Sequence, residues 1–144
     1  MEKHQYNLSL SWKGERLGLM SSPEFPTTLE VATPPEFDKG MAGYWSPEHL
    51  FTSAVLSCFM TTFLAIAEYS KLEFSSFDCD AEGILEKVEG KFLMTEVILR
   101  PKITIPNQSD IEKAQRVLHK SEKACLISNS ITSKVSLHIE INIS

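Results

Sequence analysis

One domain that mixes blocks of strands with two helices is what the sequence predicts, and three observations predict it. At 144 residues and 42% hydrophobic content, the chain suits one globular core over residues 1–144 and is short for two. Residues 6–12 and 135–143 alternate apolar with polar positions, the period of a strand with one buried face. Between them, residues 50–67 form an uncharged run of helical length.

The elements follow in order. Tyr6, Leu8, Leu10 and Trp12 alternate with Asn7, Ser9 and Ser11, and Gly14 and Gly18 then mark a tight turn. Residues 27–32 read as a second strand, followed by a loop carrying Pro34, Pro35, Gly40 and Gly43. Ser46 fits a helix N-cap and Pro47 the first helical position, where its missing N–H would be unpaired anyway. Glu48 sets a negative charge at the positive end of the helix dipole. The helix spans residues 47–69 and is apolar on most sides, which predicts that other elements, with a partner subunit supplying part of the cover, enclose it. Its 18-residue uncharged core meets the length criterion for a membrane span. Five of the 18 are Ser or Thr, however, and Glu48, His49 and Glu68 flank it without Lys or Arg, which favours a buried central helix.

Residues 74–88 and 92–105 read as strands joined at Glu89-Gly90, with Pro101 marking the second as an edge strand or a bulge. Ser109-Asp110-Ile111-Glu112 has the pattern of a capping box. The helix it opens carries the stripe Ile111, Ala114, Leu118 and Cys125, which turns Cys125 inward at the helix end. Residues 135–143 close the chain as one alternating strand.

Composition excludes several classes. A net charge of −5 with no Lys/Arg cluster leaves no footprint for nucleic acid. Three cysteines are too few and of the wrong parity for a secreted disulfide framework, and no secretory signal opens the chain, so a reducing cytoplasm is expected. The four histidines show no metal-ligand spacing, and neither a Gly-rich phosphate loop nor a serine nucleophile elbow is present.

The chemistry that remains is that of thiols. Cys58 lies mid-helix among Val55, Phe59, Met60 and Phe63, where desolvation disfavours a thiolate, so it needs a cation to react. Arg16, between Gly14 and Gly18, is a candidate for that cation, the alternative being a solvated turn residue. Glu48 is placed to hold its guanidinium in a bidentate pair. Ten residues of helix separate Glu48 from Cys58, about 15 Å, so a shared site requires Glu48 from a second chain. Cys58 and Cys125 form a dithiol if both face one pocket; otherwise both are small core residues, as Cys79 is expected to be. Trp45, Phe51, Phe59 and Met60 are more often core than ligand contacts, but a surplus of them near a thiol suits an apolar substrate.

Gly14-x-Arg16-x-Gly18, Ser46-Pro47-Glu48-His49-Leu50-Phe51, Ser57-Cys58-Phe59 and Ala124-Cys125-Leu126-Ile127-Ser128-Asn129 together resemble, in order and spacing, the OsmC/Ohr superfamily of osmotically inducible and organic hydroperoxide resistance proteins. The resemblance implies an α+β fold in which two intertwined subunits wrap sheets around central helices, with active sites at the homodimer interface. It implies a peroxidase in which Cys58 attacks an organic hydroperoxide and Cys125 closes a disulfide on it. Arg16 would hold the thiolate and Glu48 would orient Arg16. No bound cofactor is implied; an external dithiol, lipoyl groups in some members, restores the pair. Leu126 stands where the family often has proline, which suggests a divergent OsmC-like branch. The competing expectations are a non-catalytic module holding a lipid or acyl group, and a redox-responsive interaction protein of the same fold.

Overall fold

A computed structural model describes residues 2–144, which divide into two compact units, Met1–Leu50 and Phe51–Ser144. The first is an antiparallel meander of β1 (Ser9–Gly14), β2 (Leu17–Ser22) and β3 (Phe25–Ala32). The β1–β2 turn is Glu15-Arg16. Gly14 and Glu15 both take positive φ, 110° and 50°, and the Trp12 indole N–H donates to the Glu15 carbonyl at 3.0 Å. Gly18 lies within β2 opposite Trp12 rather than in the turn. A Cβ there would meet Leu10 Cδ1 at 2.9 Å. The strand β2 escapes sequence reading because Leu17-Gly18-Leu19-Met20-Ser21-Ser22 lacks β-branched residues.

The alternation expected to bury one face of the first strand does not do so in the single chain. Leu10 is 65% and Trp12 76% exposed, with Tyr6 and Leu8 equally open. Alternation reports a surface built to be covered, and says nothing of what covers it.

After β3 the chain folds back on itself. Met41 N–H donates to the Thr33 carbonyl at 2.8 Å, and Ala32 N–H to the Trp45 carbonyl at 2.8 Å. This delivers Ser46, 1% exposed, to the start of α1 (Pro47–Tyr69). Ser46 Oγ accepts from the backbone N–H of His49 at 3.1 Å and lies 2.7 Å from His49 Nδ1, the N-cap geometry predicted from sequence. The predicted helix bounds match those observed.

The second unit holds the body of α1, the long hairpin β4 (Ser76–Val88) and β5 (Lys91–Ile105), α2 (Ile111–Ala124), and the short strands β6 (Lys134–Leu137) and β7 (Glu140–Ile143). Along α1, Val55, Phe59, Phe63 and Ala67 recur every four residues and form one buried stripe. It packs on Val97, Leu99, Ile103 and Ile105 of β5 and on Ala114, Val117 and Leu118 of α2. On the opposite face Met60 and Leu64 stay exposed in the single chain, where part of the cover was expected from a partner subunit. By length and composition alone α1 is also apolar enough to cross a bilayer.

Three local expectations are corrected. The capping box at Ser109 is not made. A short 3₁₀ turn, Gln108–Asp110, leads directly into α2, whose N-cap Asp110 makes no side-chain cap bond. Pro101 is neither on an edge nor at a bulge; it sits buried in the central strand, paired with Cys79 of β4. The carbonyls of Leu99 and Ile105 accept from His138 and Ser144 N–H, so alternate residues of β5, Pro101 included, turn their backbone polar groups toward β6 and β7. The missing N–H falls there. Both short strands run parallel to β5 with one common register, which sets Ile139 opposite Pro101. The single terminal strand predicted from sequence is therefore split at His138-Ile139, where the ladder bond is missing.

The helix α1 meets the hairpin at Gly83, where an added Cβ would lie 2.1 Å from Thr52 Oγ1 and 2.9 Å from Met94 Cε. Gly83→Ala is expected to destabilise the protein by about 1–3 kcal/mol through overpacking, and Thr52→Ala in the same chain to recover much of that loss. Urea unfolding of the two variants and their combination checks this, and simple additivity would contradict it.

Candidate active site: a dithiol on the inner helix

Cys58 sits on α1 one position before the buried stripe, half-buried, and Cys125 is the C-cap of α2, fully buried. The 67-residue separation in sequence closes in the fold, where the two thiols lie near enough for each to shift the other's affinity for its proton. Burial pushes the Cys58 thiol up, but the bonds it accepts from Cys125, the Ile127 N–H, Thr62 and the Leu126 N–H together outweigh burial and bring it below its ordinary value. Thr62 Oγ1 lies 3.8 Å from Cys58 Sγ, one helical turn along.

Cys125 moves the other way. Burial raises it and the Ser128 hydroxyl lowers it; the bond it donates to Cys58 raises it further, the Ser128 N–H lowers it, and the negative charge on Cys58 adds a last increment upward. The net direction is up. The two thiols are thus shifted in opposite directions, Cys58 toward the thiolate and Cys125 toward the protonated thiol.

The backbone after α2 makes this possible. Cys125 has extended dihedrals that end the helix, and in the turn that follows the Leu126 and Ile127 N–H groups favour a Cys58 thiolate and the Ser128 N–H a Cys125 thiolate. Successive amides facing one way form an anion-holding concavity. Such peptide dipoles favour charge on a nearby sulfur, and residue types alone do not display them. Thr62 and Ser128 were not singled out as functional. The i, i+4 spacing of Cys58 and Thr62 was the available signal for the first; nothing in the sequence marked the second.

The other candidate residues lie as follows. Arg16 is exposed on the β1–β2 turn and lines a cleft of about 330 Å³ in the first unit with Leu10, Trp12, Val31, Thr33 and Pro47. Glu48 occupies the first turn of α1, with Oε1 shielded from solvent. Trp45 belongs to the first unit and meets the His49 ring edge-on at 6.2 Å. In the second unit Phe59 has no exposed surface and packs toward Phe77, so it is core rather than a pocket wall; Phe51 is half-buried against the same core and Met60 points outward. Cys79 packs at the margin of that core, and burial raises its thiol to about 11. Among the described residues, no three His, Cys, Asp or Glu side chains converge on a metal-sized site.

The family model for OsmC-like protein matches residues 39–140. The uncharacterized protein YmaD of Bacillus subtilis is 28% identical over 148 residues, covering 99% of this chain and 97% of that one. An OsmC-like protein of unknown function from Vibrio cholerae superposes with a TM-score of 0.85 at 23% identity, covering 95% of this chain and 99% of its own. An organic hydroperoxide resistance protein OsmC from Legionella pneumophila superposes with a TM-score of 0.75 at 26% identity, covering 97% of this chain and 99% of its own.

Proposed function

The chain belongs to the OsmC-like protein family, and from that premise we propose that it is a thiol-dependent peroxidase reducing organic hydroperoxides to alcohols. Its α+β fold is that of the family. The observation that carries the reading is that the fold brings the Cys58 and Cys125 thiols near enough to shift one another, Cys58 downward and Cys125 upward.

In the first step the Cys58 thiolate attacks the outer oxygen of the hydroperoxide. The O–O bond breaks, the alkoxide takes a proton and leaves as the alcohol, and Cys58 is left as a sulfenic acid. In the second, Cys125 sulfur bonds to Cys58 sulfur, and the hydroxyl leaves as water with the Cys125 proton. An external dithiol, such as a lipoyl group, then reduces the disulfide and is itself oxidised to a disulfide. Arg16 polarises the peroxide and Glu48 orients Arg16, both reaching the dithiol from the second chain of a homodimer, in keeping with the apolar surface that the single chain leaves open along Leu10 and Trp12. Exposed Leu126, beside Cys125, offers apolar contact to the organic group. The reading places the protein in a reducing compartment such as the cytoplasm.

The test is to mix reduced protein with stoichiometric cumene hydroperoxide and follow free thiols and intact mass. Two of the three thiols should disappear with loss of two hydrogens, and Cys125→Ser should stop at one added oxygen on Cys58. Because Cys58 is held below its ordinary value, its oxidation rate should rise with pH and level off at a lower pH than for free cysteine. Thiols that survive conditions oxidising free cysteine would refute the reading.

A further inference from the structure

The chain has no run of Lys or Arg, yet the fold assembles a row of them. Arg116, Lys120 and Lys123 are spaced four and three residues apart, so α2 lines them up on one side, away from buried Ala114, Val117, Leu118 and Ser121. All three are exposed, and among the described residues none of them makes an ion pair. With His119 they wall an open cleft of about 840 Å³, and half-buried Leu137 and Ile139 give it an apolar floor.

The helix itself accounts for only part of this row. Its dipole favours a cation in the last turn, where Lys123 stands. Arg116 and Lys120 lie further back, each one helical turn from its neighbour of like charge, and such pairs repel. A counter-charge laid along the row would relieve them. The chain as a whole carries −5, so an acidic partner is repelled by most of the molecule and guided to this one side.

Spacing decides what kind of partner fits. Arg116 and Lys123 are seven residues apart, about 10 Å along the helix, too far for one carboxylate to bridge. Carboxylates at i and i+4 of a second helix recur about every 6 Å, the same rise that separates Arg116 from Lys120. Apolar side chains on the adjoining side of such a helix would meet Leu137 and Ile139. A nucleic acid fits less well, because the cleft has no Phe, Tyr or Trp on which a base could stack and the net charge repels phosphates.

We propose that this cleft is the docking surface for an acidic, amphipathic helical segment of another protein, which sets its carboxylates on Arg116, Lys120 and Lys123 and its apolar side on Leu137 and Ile139. The proposal is independent of the peroxidase reading, since these side chains lie on the outer side of α2 and the thiols on the inner one.

The test is fluorescence anisotropy of the full-length protein with a fluorescein-labelled helical peptide carrying glutamate at i and i+4 and leucine on the adjoining side. The expected Kd is about 10–100 μM at low salt, rising several-fold at physiological ionic strength. The double variant Arg116→Glu/Lys120→Glu should weaken binding by about ten-fold or more, whereas Lys91→Glu, at the hairpin turn, should change it by less than about two-fold. Glutamate is a good helix former, so the double variant should keep its far-UV circular dichroism. Glu112→Gln, which removes the negative charge at the other end of the cleft, should tighten binding and keeps the test decisive if the double variant fails to fold. A peptide with serine in place of leucine should bind more weakly. Equal binding by the double variant would overturn the proposal. So would tighter binding of a single-stranded oligonucleotide or of oleate than of the peptide, or salt-sensitive self-association of the protein that the double variant abolishes.

Discussion

Replacing Cys58 with serine is expected to abolish hydroperoxide turnover, lowering the rate by at least about a thousand-fold, the scale seen when a nucleophile itself is removed. The substitution changes one atom. Serine keeps the size and a hydrogen-bonding group, so the bonds from Leu126, Ile127 and Thr62 have an acceptor and the fold should persist. The hydroxyl, however, does not ionise in the range where a thiol does. All oxidation of Cys125 should vanish with it, because a buried thiol whose proton is retained reacts only through its partner. Peroxide consumption followed by a ferrous dye assay, with intact mass on the same samples, decides the matter. Turnover within ten-fold of the unsubstituted protein would place the reactive thiol elsewhere.

The largest stability effect is expected at Phe63. Its ring stacks on Phe77 with centroids 4.6 Å apart, meets Phe74 edge-on at 5.1 Å, and has no exposed surface. It is the point where the buried stripe of α1 meets the first residues of the hairpin. Phe63→Ala removes the ring and leaves two aromatic partners facing a void, for an expected loss of about 3–5 kcal/mol. Urea unfolding should show it as a lowered midpoint with a similar slope. A loss below about 1 kcal/mol would mean that the neighbours collapse into the space and that the aromatic cluster is not what anchors the helix.

What could be seen in the sequence depended on how local its cause was. The bounds of α1 are set by Ser46, Pro47 and a run of apolar residues, all within one stretch of chain, and they were legible. The Glu89-Gly90 turn was legible for the same reason: both residues take positive φ, 50° and 81°. Pro101 was misread because a missing N–H can be seen in one dimension, whereas the place where a neighbouring strand is interrupted cannot. The capping box at Ser109 failed because a 3₁₀ turn took its place. In the site, Cys58 and Cys125 were found as residue types and as a family pattern. Their opposite shifts were not, since they come from burial and from neighbouring donors that composition does not distinguish from any other turn.

The break opposite Pro101 reaches beyond sheet geometry. A parallel strand of ten residues lying outermost on β5 would offer a long, regular row of open amide and carbonyl groups, the template on which chains add to one another and precipitate. Divided into two strands of four residues each, that boundary presents no stretch long enough to seed such growth. A proline on the inside of the sheet thereby protects its outside.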